Sequence, residues 1–225
     1  MFDKLYSILI ADGSAQTILS GLFTTLKISV LALILGTVLG VIICAMRMSK
    51  FKPLSIFAHV YISVLRGSPL TMLLMLLYYC VFATSSIDAV YVAVIAFGIN
   101  TAAYVAEMFR SAIDALNKRE SEAAWTLGFS KFQTLWYVVF PQALRIAKPV
   151  YQSTIINLIQ WTSVVGYVTI TDLTRVINNI SSRTMQPLIL IVTGMILYIA
   201  IAYIVTGIFA LIDFIIANKQ KSGGN

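Results

Sequence analysis

Apolar residues in this chain form long runs that are separated by a few charged residues. Five runs contain 19, 21, 18, 23 and 29 residues without a charge and are bounded, in that order, by Lys27 and Arg47, Arg66 and Asp88, Asp88 and Glu107, Lys148 and Asp172, and Arg183 and Asp213. Crossing the hydrocarbon core takes about 20 residues of α-helix, and backbone polar groups cannot stay unpaired in lipid. The pattern predicts an all-α membrane protein with five transmembrane helices.

The composition supports this class. The 225 residues include 16 Lys or Arg and 9 Asp or Glu, 59% are hydrophobic, and the mean hydropathy is +0.89. A soluble domain carries about 25% charged residues, against 11% here. Cys44 and Cys80 lie in apolar stretches, which argues against a disulfide framework. The first run lacks a cationic lead and a small-residue cleavage site, so we expect it to remain as a span.

Basic residues indicate the orientation. If the runs alternate across the membrane, residues 47–66, 107–148 and 213–225 share one side and carry 12 of the 16 basic residues. Loops rich in Lys and Arg stay in the cytoplasm. We therefore expect the N-terminus outside, the C-terminus inside and an outer segment at residues 1–20. The formal charge of +7 then reflects topology next to membrane lipid, not binding to nucleic acid.

Small residues recur every four positions in the first span, at Ala32, Gly36, Gly40 and Cys44. Such a face lets another helix approach closely. We expect this packing within the chain, with dimerisation as the alternative. Residues 54–65 are apolar but too short to span, and they are expected to run along or into the inner leaflet.

Glu107 and Arg110 are three positions apart at the end of the third span, where a helix brings their side chains together. An acid this close to lipid needs a partner. The two residues are expected to form an ion pair, either purely structural or acting as a moving gate contact.

The longest cytoplasmic segment runs from Asn117 to Pro149. Asn117 with Glu120 predicts a helix start, Gly128 predicts its end, and the positions between them in helical register include Glu122, Ala123, Ala124 and Leu127. This short capped helix has a nearly flat surface at its alanines. It is either a docking element or an ordinary interfacial loop.

A second helix is predicted after this one. Ser130 with Gln133 is a start signal for residues 131–140, and Pro141 is expected to interrupt the helix.

The fourth span is unusually polar. Ser153, Asn157, Gln160 and Tyr167 fall within about 80° of one another at 100° per residue. Because such groups are costly against lipid, the stripe is expected to face helices or water. A solute path is favoured over simple hydrogen bonding between helices. Residues 172–186 are expected to form an outer loop.

Recognisable catalytic chemistry is missing. The chain has no glycine-rich phosphate-binding loop, its one histidine, His59, has no metal-ligating companions at suitable spacing, and the serines lack a base. No span has the carboxylates of a proton-driven carrier. We therefore expect no enzyme activity, metal or cofactor in this chain. Uphill transport would need energy from another subunit, and a path would need a second copy or a homologous partner.

Residues 122–141 resemble the EAA loop of ABC importer permeases, whose pattern is E-A-A, three residues, G, nine residues and I-x-L-P. Here the pattern is matched by Glu122-Ala123-Ala124, Gly128 and Val138-Val139-Phe140-Pro141. Residues 66–70 resemble the R-G-[TS]-P-L element of the polar amino acid uptake group. Similar stretches occur at residues 21–26, 103–107, 141–145, 162–163 and 172–184.

The resemblance implies a type I ABC importer permease fold over residues 1–225 as one transmembrane domain in a bacterial inner membrane, with residues 117–141 as the cytoplasmic coupling loop. It implies that this loop docks on a cytoplasmic ATPase dimer, which binds ATP and Mg²⁺ and whose closure turns two permeases outward. An external solute-binding protein delivers an amino acid or similar small polar solute. The second permease is identical or homologous.

The resemblance also assigns residues to roles. Coupling to the ATPase is expected from Glu122, Ala123, Ala124, Leu127 and Gly128. The solute path is expected from Ser153, Asn157, Gln160, Thr162 and Ser163. Gate or structural roles are expected for Arg66, Glu107, Arg110 and Asp172.

One departure bears on the solute. Many relatives carry an acidic residue just before the Thr162-Ser163 pair, where this chain has Trp161. The change argues against basic amino acids as preferred cargo, unless a partner permease supplies the acid. The alternative hypotheses are a passive oligomeric channel for small polar solutes and, more weakly, a membrane-embedded enzyme or scaffold.

Overall fold

The computed structural model describes residues 13–222, with side chains as far as residue 218, and this part of the chain is helical without a strand. The α-helices are α1 Ser14–Arg47, α2 Lys52–Gly67, α3 Leu70–Leu76, α4 Ala89–Asp114, α5 Lys118–Thr126, α6 Lys131–Thr134, α7 Phe140–Trp161, α8 Leu173–Thr184 and α9 Pro187–Ser222. Single π-helical segments, Leu77–Val81 and Leu135–Val139, follow α3 and α6, and a 3-10 helix, Thr162–Val168, follows α7. The predicted all-α fold is confirmed.

Among the described helices, three are long and apolar enough to cross a membrane: α1, α4 and residues Pro187–Asn218 of α9. The pair formed by α2 and Leu70–Val81, bent by 106°, makes a fourth if it counts as one broken span. Helix α7, with 22 residues, covers part of the fourth predicted span but is not among the helices that are long and apolar enough. The predicted number of five spans therefore stays a prediction.

The break between α2 and α3 follows from one proline. Ser68 has extended backbone angles (φ −94°, ψ 143°), and Pro69, with ψ 127°, precedes the first residue of α3. Proline disfavours the helical conformation in the residue before it. Helix α2 includes the apolar stretch at residues 54–65 that is too short to span alone.

Contacts divide the chain into two compact units, one formed by Val30–Thr154 and the other by the residues before and after it. In the first unit, the small-residue face of α1 contacts α4. A Cβ atom added to Gly40 would lie 2.6 Å from the Val105 Cβ atom. Ala32 is fully buried and Cys44 is 5% exposed. The predicted close packing within the chain is confirmed.

In the other unit, α8 corrects the prediction of an outer loop at residues 172–186. Its buried residues Leu173, Val176, Ile177 and Ile180 pack with Ile18 and Leu190. The spacing of these four apolar residues is that of one helix face. The outer segment at residues 1–20 stays a prediction: α1 begins at Ser14, and residues 1–12 lie outside the described residues.

Pro141 does not interrupt the second helix that is predicted after Asn117. Segments Lys131–Thr134, Leu135–Val139 and Phe140–Trp161 follow one another without a break. Pro141 occupies the first turn of α7, where a missing backbone N–H is tolerated. The π-helical segment just before it adjusts the backbone register, which is how such bulges accommodate a local defect in a helix.

Candidate coupling and transport site

Helix α5 begins at the predicted position. The Asn117 side chain accepts a hydrogen bond from the Arg119 backbone N–H at 3.1 Å, so Asn117 is the N-cap of Lys118–Thr126. Such a cap satisfies one of the backbone donors left open at a helix start. The start of α5 is thus fixed by a local side-chain bond.

The end of α5 depends on Gly128. This residue has φ +86°, its N–H donates to the Trp125 carbonyl at 3.0 Å, and the Phe129 N–H donates to the Ala124 carbonyl at 3.1 Å. The two bonds form a Schellman motif, in which the left-handed position suits glycine. The predicted stop signal is confirmed.

A capping box turns the chain into the next helix. The Ser130 N–H donates to the Gln133 side chain at 2.8 Å, and the Gln133 N–H donates to the Ser130 hydroxyl at 3.3 Å. These reciprocal bonds satisfy two backbone donors. Helices α5 and α6 are therefore joined by a tightly defined connection, residues 127–130.

The surface of this connection is partly apolar. Glu122 and Ala123 are exposed, whereas Ala124 is 5% exposed. Trp125 and Leu127 expose 50% and 78% of their surface. Nearby aromatic side chains contact one another edge-on or tilted, in the pairs Phe129–Tyr137, Phe132–Trp136 and Trp136–Phe140. Exposed apolar side chains that cluster in a short segment are typical of an interaction site with protein or membrane.

The predicted ion pair at the end of α4 is confirmed and is larger than expected. Arg110 donates through Nε and Nη2 to the two Glu107 carboxylate oxygens at 3.0 and 2.6 Å, and its Nη1 donates to Asp114. One guanidinium thus joins two acids on successive turns. Two-pronged pairing gives this contact geometric specificity.

Arg66 lies beside this network. Its guanidinium carbon is 5.4 Å from the centre of the Tyr104 ring, which is a cation–π contact. Both residues line a cavity of about 330 Å³ with Glu107 and residues of α7, including Ile146 and Val150. The structure therefore brings two of the predicted gate or structural residues to one cavity.

Asp172 has a different position. It is fully buried as the N-cap of α8, and its two carboxylate oxygens accept hydrogen bonds from the Thr174 and Arg175 backbone N–H groups, each at 3.0 Å. Burial raises the pKa of the Asp172 carboxyl above its usual range, although these backbone hydrogen bonds act in the opposite direction. The contacts of Asp172 are those of a structural residue.

The predicted path residues fall into three environments. Ser153, Asn157 and Gln160 are exposed on α7. Ser163 is partly buried and lines a cavity of about 560 Å³. Thr162 is fully buried, and its hydroxyl donates to the Ile159 carbonyl at 2.7 Å. The structure does not place Thr162 beside the exposed positions, because two residues after Gln160 a helical chain has turned by about 200°.

No group of three or more His, Cys, Asp or Glu residues in the described part of the chain could hold a metal ion. A contact missed by sequence reasoning lies next to Ser163. The Arg175 Nη1 donates to the Gly166 carbonyl at 2.6 Å. Arg175 stands out only as one of the four basic residues on the side with few positive charges, which gives no pairing signal.

The described residues combine helices that can cross a membrane with a connection between α5 and α6 that is capped on both sides. The model for the family described as "Binding-protein-dependent transport system inner membrane component" matches residues 33–218. The chain belongs to this family and is a multi-pass permease subunit of an ABC importer, a non-catalytic class that works with an ATPase and in permease pairs.

Particular relatives agree. The chain is 33% identical over 204 residues to the probable amino-acid ABC transporter permease protein YckA of Bacillus subtilis (strain 168), which is 90% of each protein. It is 34% identical over 172 residues to the L-cystine transport system permease protein TcyB of the same organism, covering 76% and 74% of the two chains. A solved structure titled as an amino acid ABC transporter with histidines has a TM-score of 0.83, 31% identity and coverage of 91% and 96%.

Proposed function

We propose that this chain imports an amino acid across the bacterial inner membrane as the permease of an ATP-driven system. The solute class rests on relatives whose names specify amino acids. The observation that carries the coupling role is the Schellman end of α5. It presents Glu122, Ala123 and Leu127 on an exposed connection whose shape is fixed by hydrogen bonds.

The segment at residues 117–141 acts as the coupling loop, and α5 is the coupling helix. The small Ala123 side chain lets a partner backbone approach α5 closely. Trp125 and Leu127 supply exposed apolar side chains at the end of this helix. Tryptophan is enriched among the residues that carry most of the binding energy at interfaces. Glu122, Ala124 and Gly128 complete the set, with Ala124 and Gly128 supporting the helix end.

The energy source lies on the partner. ATP and Mg²⁺ bind to the ATPase dimer, whose closure moves the two coupling helices and turns the permease pair outward. A solute-binding protein delivers the solute from outside. This arrangement requires the N-terminus outside and the C-terminus inside, in agreement with the distribution of basic residues.

The solute path is lined by polar side chains of α7 and the 3-10 helix after it. Ser153, Asn157 and Gln160 are exposed, as a path requires. Ser163 contributes from the edge of its cavity, and Thr162 supports the path from behind through its bond to Ile159. Arg110 pairs with Glu107, and Arg66 lines a cavity with Glu107. These three residues open or hold the path at its inner end.

Replacing Gly128 by Val tests the coupling role. A Cβ atom at Gly128 would meet nothing within 4 Å, so the change causes no clash inside the chain. It does strain the left-handed backbone by about 1–2 kcal/mol and alters the docking surface. We expect Gly128→Val to abolish ATP-dependent uptake in proteoliposomes while membrane insertion is unchanged.

The matched control is Gly128→Asn, because asparagine tolerates the left-handed region. This variant should keep a large part of the uptake. Normal uptake by Gly128→Val would refute the coupling assignment, and equal loss in both variants would show that the backbone conformation is not what matters.

A further inference from the structure

A polar cavity of about 560 Å³ lies where α8 meets the 3-10 helix Thr162–Val168, within one unit of the chain. Its polar lining side chains are Ser163, Thr174, Arg175, Asn178 and Asn179. A solute of amino-acid size fits this volume. The cavity therefore has both the room and the polar groups of a small-molecule site.

The positive charge in this cavity is held in place. The Arg175 Nη1 donates to the Gly166 carbonyl at 2.6 Å, and a Cβ atom at Gly166 would lie 3.9 Å from the Arg175 Cβ and Cδ atoms. The side-chain stem thus lies against Gly166 while one of its five N–H donors is used. A guanidinium positioned in this way presents its remaining donors with little further loss of rotamer freedom.

This charge has no acidic partner among the residues that the structure describes. Glu107 and Asp114 are paired with Arg110. Asp172, three positions before Arg175, uses its two carboxylate oxygens on the Thr174 and Arg175 backbone N–H groups. Asn178 and Asn179, one turn further along α8, are exposed amides that carry no charge. The cavity is therefore cationic.

We propose that this cavity binds the carboxylate of the transported solute before translocation, with Arg175 as its anchor. Guanidinium and carboxylate match in a two-pronged geometry, and the Asn178 amide and the Ser163 hydroxyl offer additional donors. The inference rests on the proposed function, since it adds a substrate contact to the path that includes Ser163. It assigns the site to solutes with a carboxylate and a neutral or acidic side chain.

The charge also selects among solutes. Like charges repel within the same cavity, so a guanidinium at Arg175 disfavours basic solutes. An acidic or neutral amino acid is thus the cargo that this cavity selects.

A labelling experiment on the detergent-solubilised permease–ATPase complex tests the charge directly. Cys80 is exposed and is replaced by Ser, while Cys44 is buried and stays. Asn179→Cys then places one reactive thiol at the cavity. The measured quantity is the ratio of labelling rates for an anionic and a cationic methanethiosulfonate reagent.

We expect Arg175→Gln to lower this ratio on the order of ten-fold, because a nearby charge acts oppositely on the two reagents, and Arg175→Lys to keep most of it. The control is Arg183→Gln on the same helix. Arg183 donates to the Ser14 hydroxyl and does not line the cavity. An unchanged ratio in Arg175→Gln, or an equal fall in Arg183→Gln, would overturn the proposal.

Protection from labelling tests the ligand. Acetate and L-glutamine should slow the reaction at Asn179→Cys, whereas acetamide and L-glutaminamide, which lack the carboxylate, should not. Arg175→Gln should lose the protection. A solute carboxylate site would be contradicted if the two amides also slowed labelling, or if none of the four compounds did. It would also be contradicted if only the solute-free binding protein slowed labelling. Failure of the proposed function is separate, because it would show as ATP-independent uptake by the unaltered chain.

Discussion

A Cβ atom on Gly36 would lie 2.7 Å from the Thr101 Cβ atom and 3.0 Å from the Gly98 carbonyl oxygen. Helices α1 and α4 therefore approach so closely that only glycine fits at this position. Van der Waals packing of small residues is a principal source of helix association in membranes. The Gly36–Thr101 contact is thus a main determinant of stability in the unit Val30–Thr154.

Gly36→Leu should destabilise the protein by about 1–3 kcal/mol, the usual cost of overpacking, and lower its thermal unfolding temperature in detergent. Gly207→Leu is the matched control, because a Cβ atom at Gly207 would meet nothing within 4 Å. Tryptophan fluorescence during heating measures both. Equal unfolding temperatures for the two variants would show that the close approach is not required.

Replacing Leu127 is expected to weaken binding of the ATPase without unfolding the chain. Its side chain is 78% exposed at the end of α5, so Leu127→Ser removes apolar surface from the coupling helix and little from the core. We expect copurification of the ATPase to fall several-fold while the unfolding temperature stays the same. Met185→Ser, with Met185 80% exposed after α8, is the control. Full copurification with Leu127→Ser would remove this residue from the interface.

The Glu107–Arg110 pair predicts a measurable coupling energy. Its side chains are 24% and 29% exposed and joined by two hydrogen bonds. A double-mutant cycle with Glu107→Gln and Arg110→Gln should give about 0.5–1 kcal/mol in the free energy of unfolding. Asp114→Asn should cost less, because its side chain is 59% exposed. A coupling energy of zero would leave the pair without a structural role.

Asp172 predicts a local effect on α8. Asp172→Ala removes the acceptor for two backbone N–H groups at a buried helix start, and the loss of an N-cap costs about 0.5–2 kcal/mol. Thermal unfolding should register this cost. Asp88→Ala is a matched control, because Asp88 caps α4 through one bond to the Val90 N–H at an exposed site. A smaller effect at Asp172 than at Asp88 would contradict the structural role.

Local signals in the sequence predicted several of these features. Asn117, Gly128 and the Ser130–Gln133 pair bound two short helices through interactions within a few residues, which short patterns capture well. The small-residue face of α1 predicted the close packing with α4, because only a neighbouring helix makes four-residue spacing of glycine useful.

Features that depend on residues far apart in the chain could not be predicted from the sequence. The sequence predicts a loop at α8 because polar residues such as Asn178 and Asn179 alternate with its apolar ones. The apolar residues form a face that packs with Ile18 and Leu190. Pro141 predicts an interruption because proline usually destabilises a helix interior. The π-helical segment before Pro141 reduces this cost, and the sequence pattern does not show that segment. The Arg175–Gly166 bond joins residues nine positions apart across the turn at Thr169, which has φ +68°.

Whether uptake in proteoliposomes depends on ATP decides whether this chain is the permease of an ATP-driven importer. The chain, its ATPase, its permease pair and its binding protein are reconstituted with ATP on the ATPase side, and uptake of radiolabelled amino acids is measured against a concentration gradient. The account predicts accumulation that requires ATP, the binding protein and intact Gly128. Solute flux down its gradient through the chain alone, without ATPase or ATP, would contradict the account and favour a passive channel.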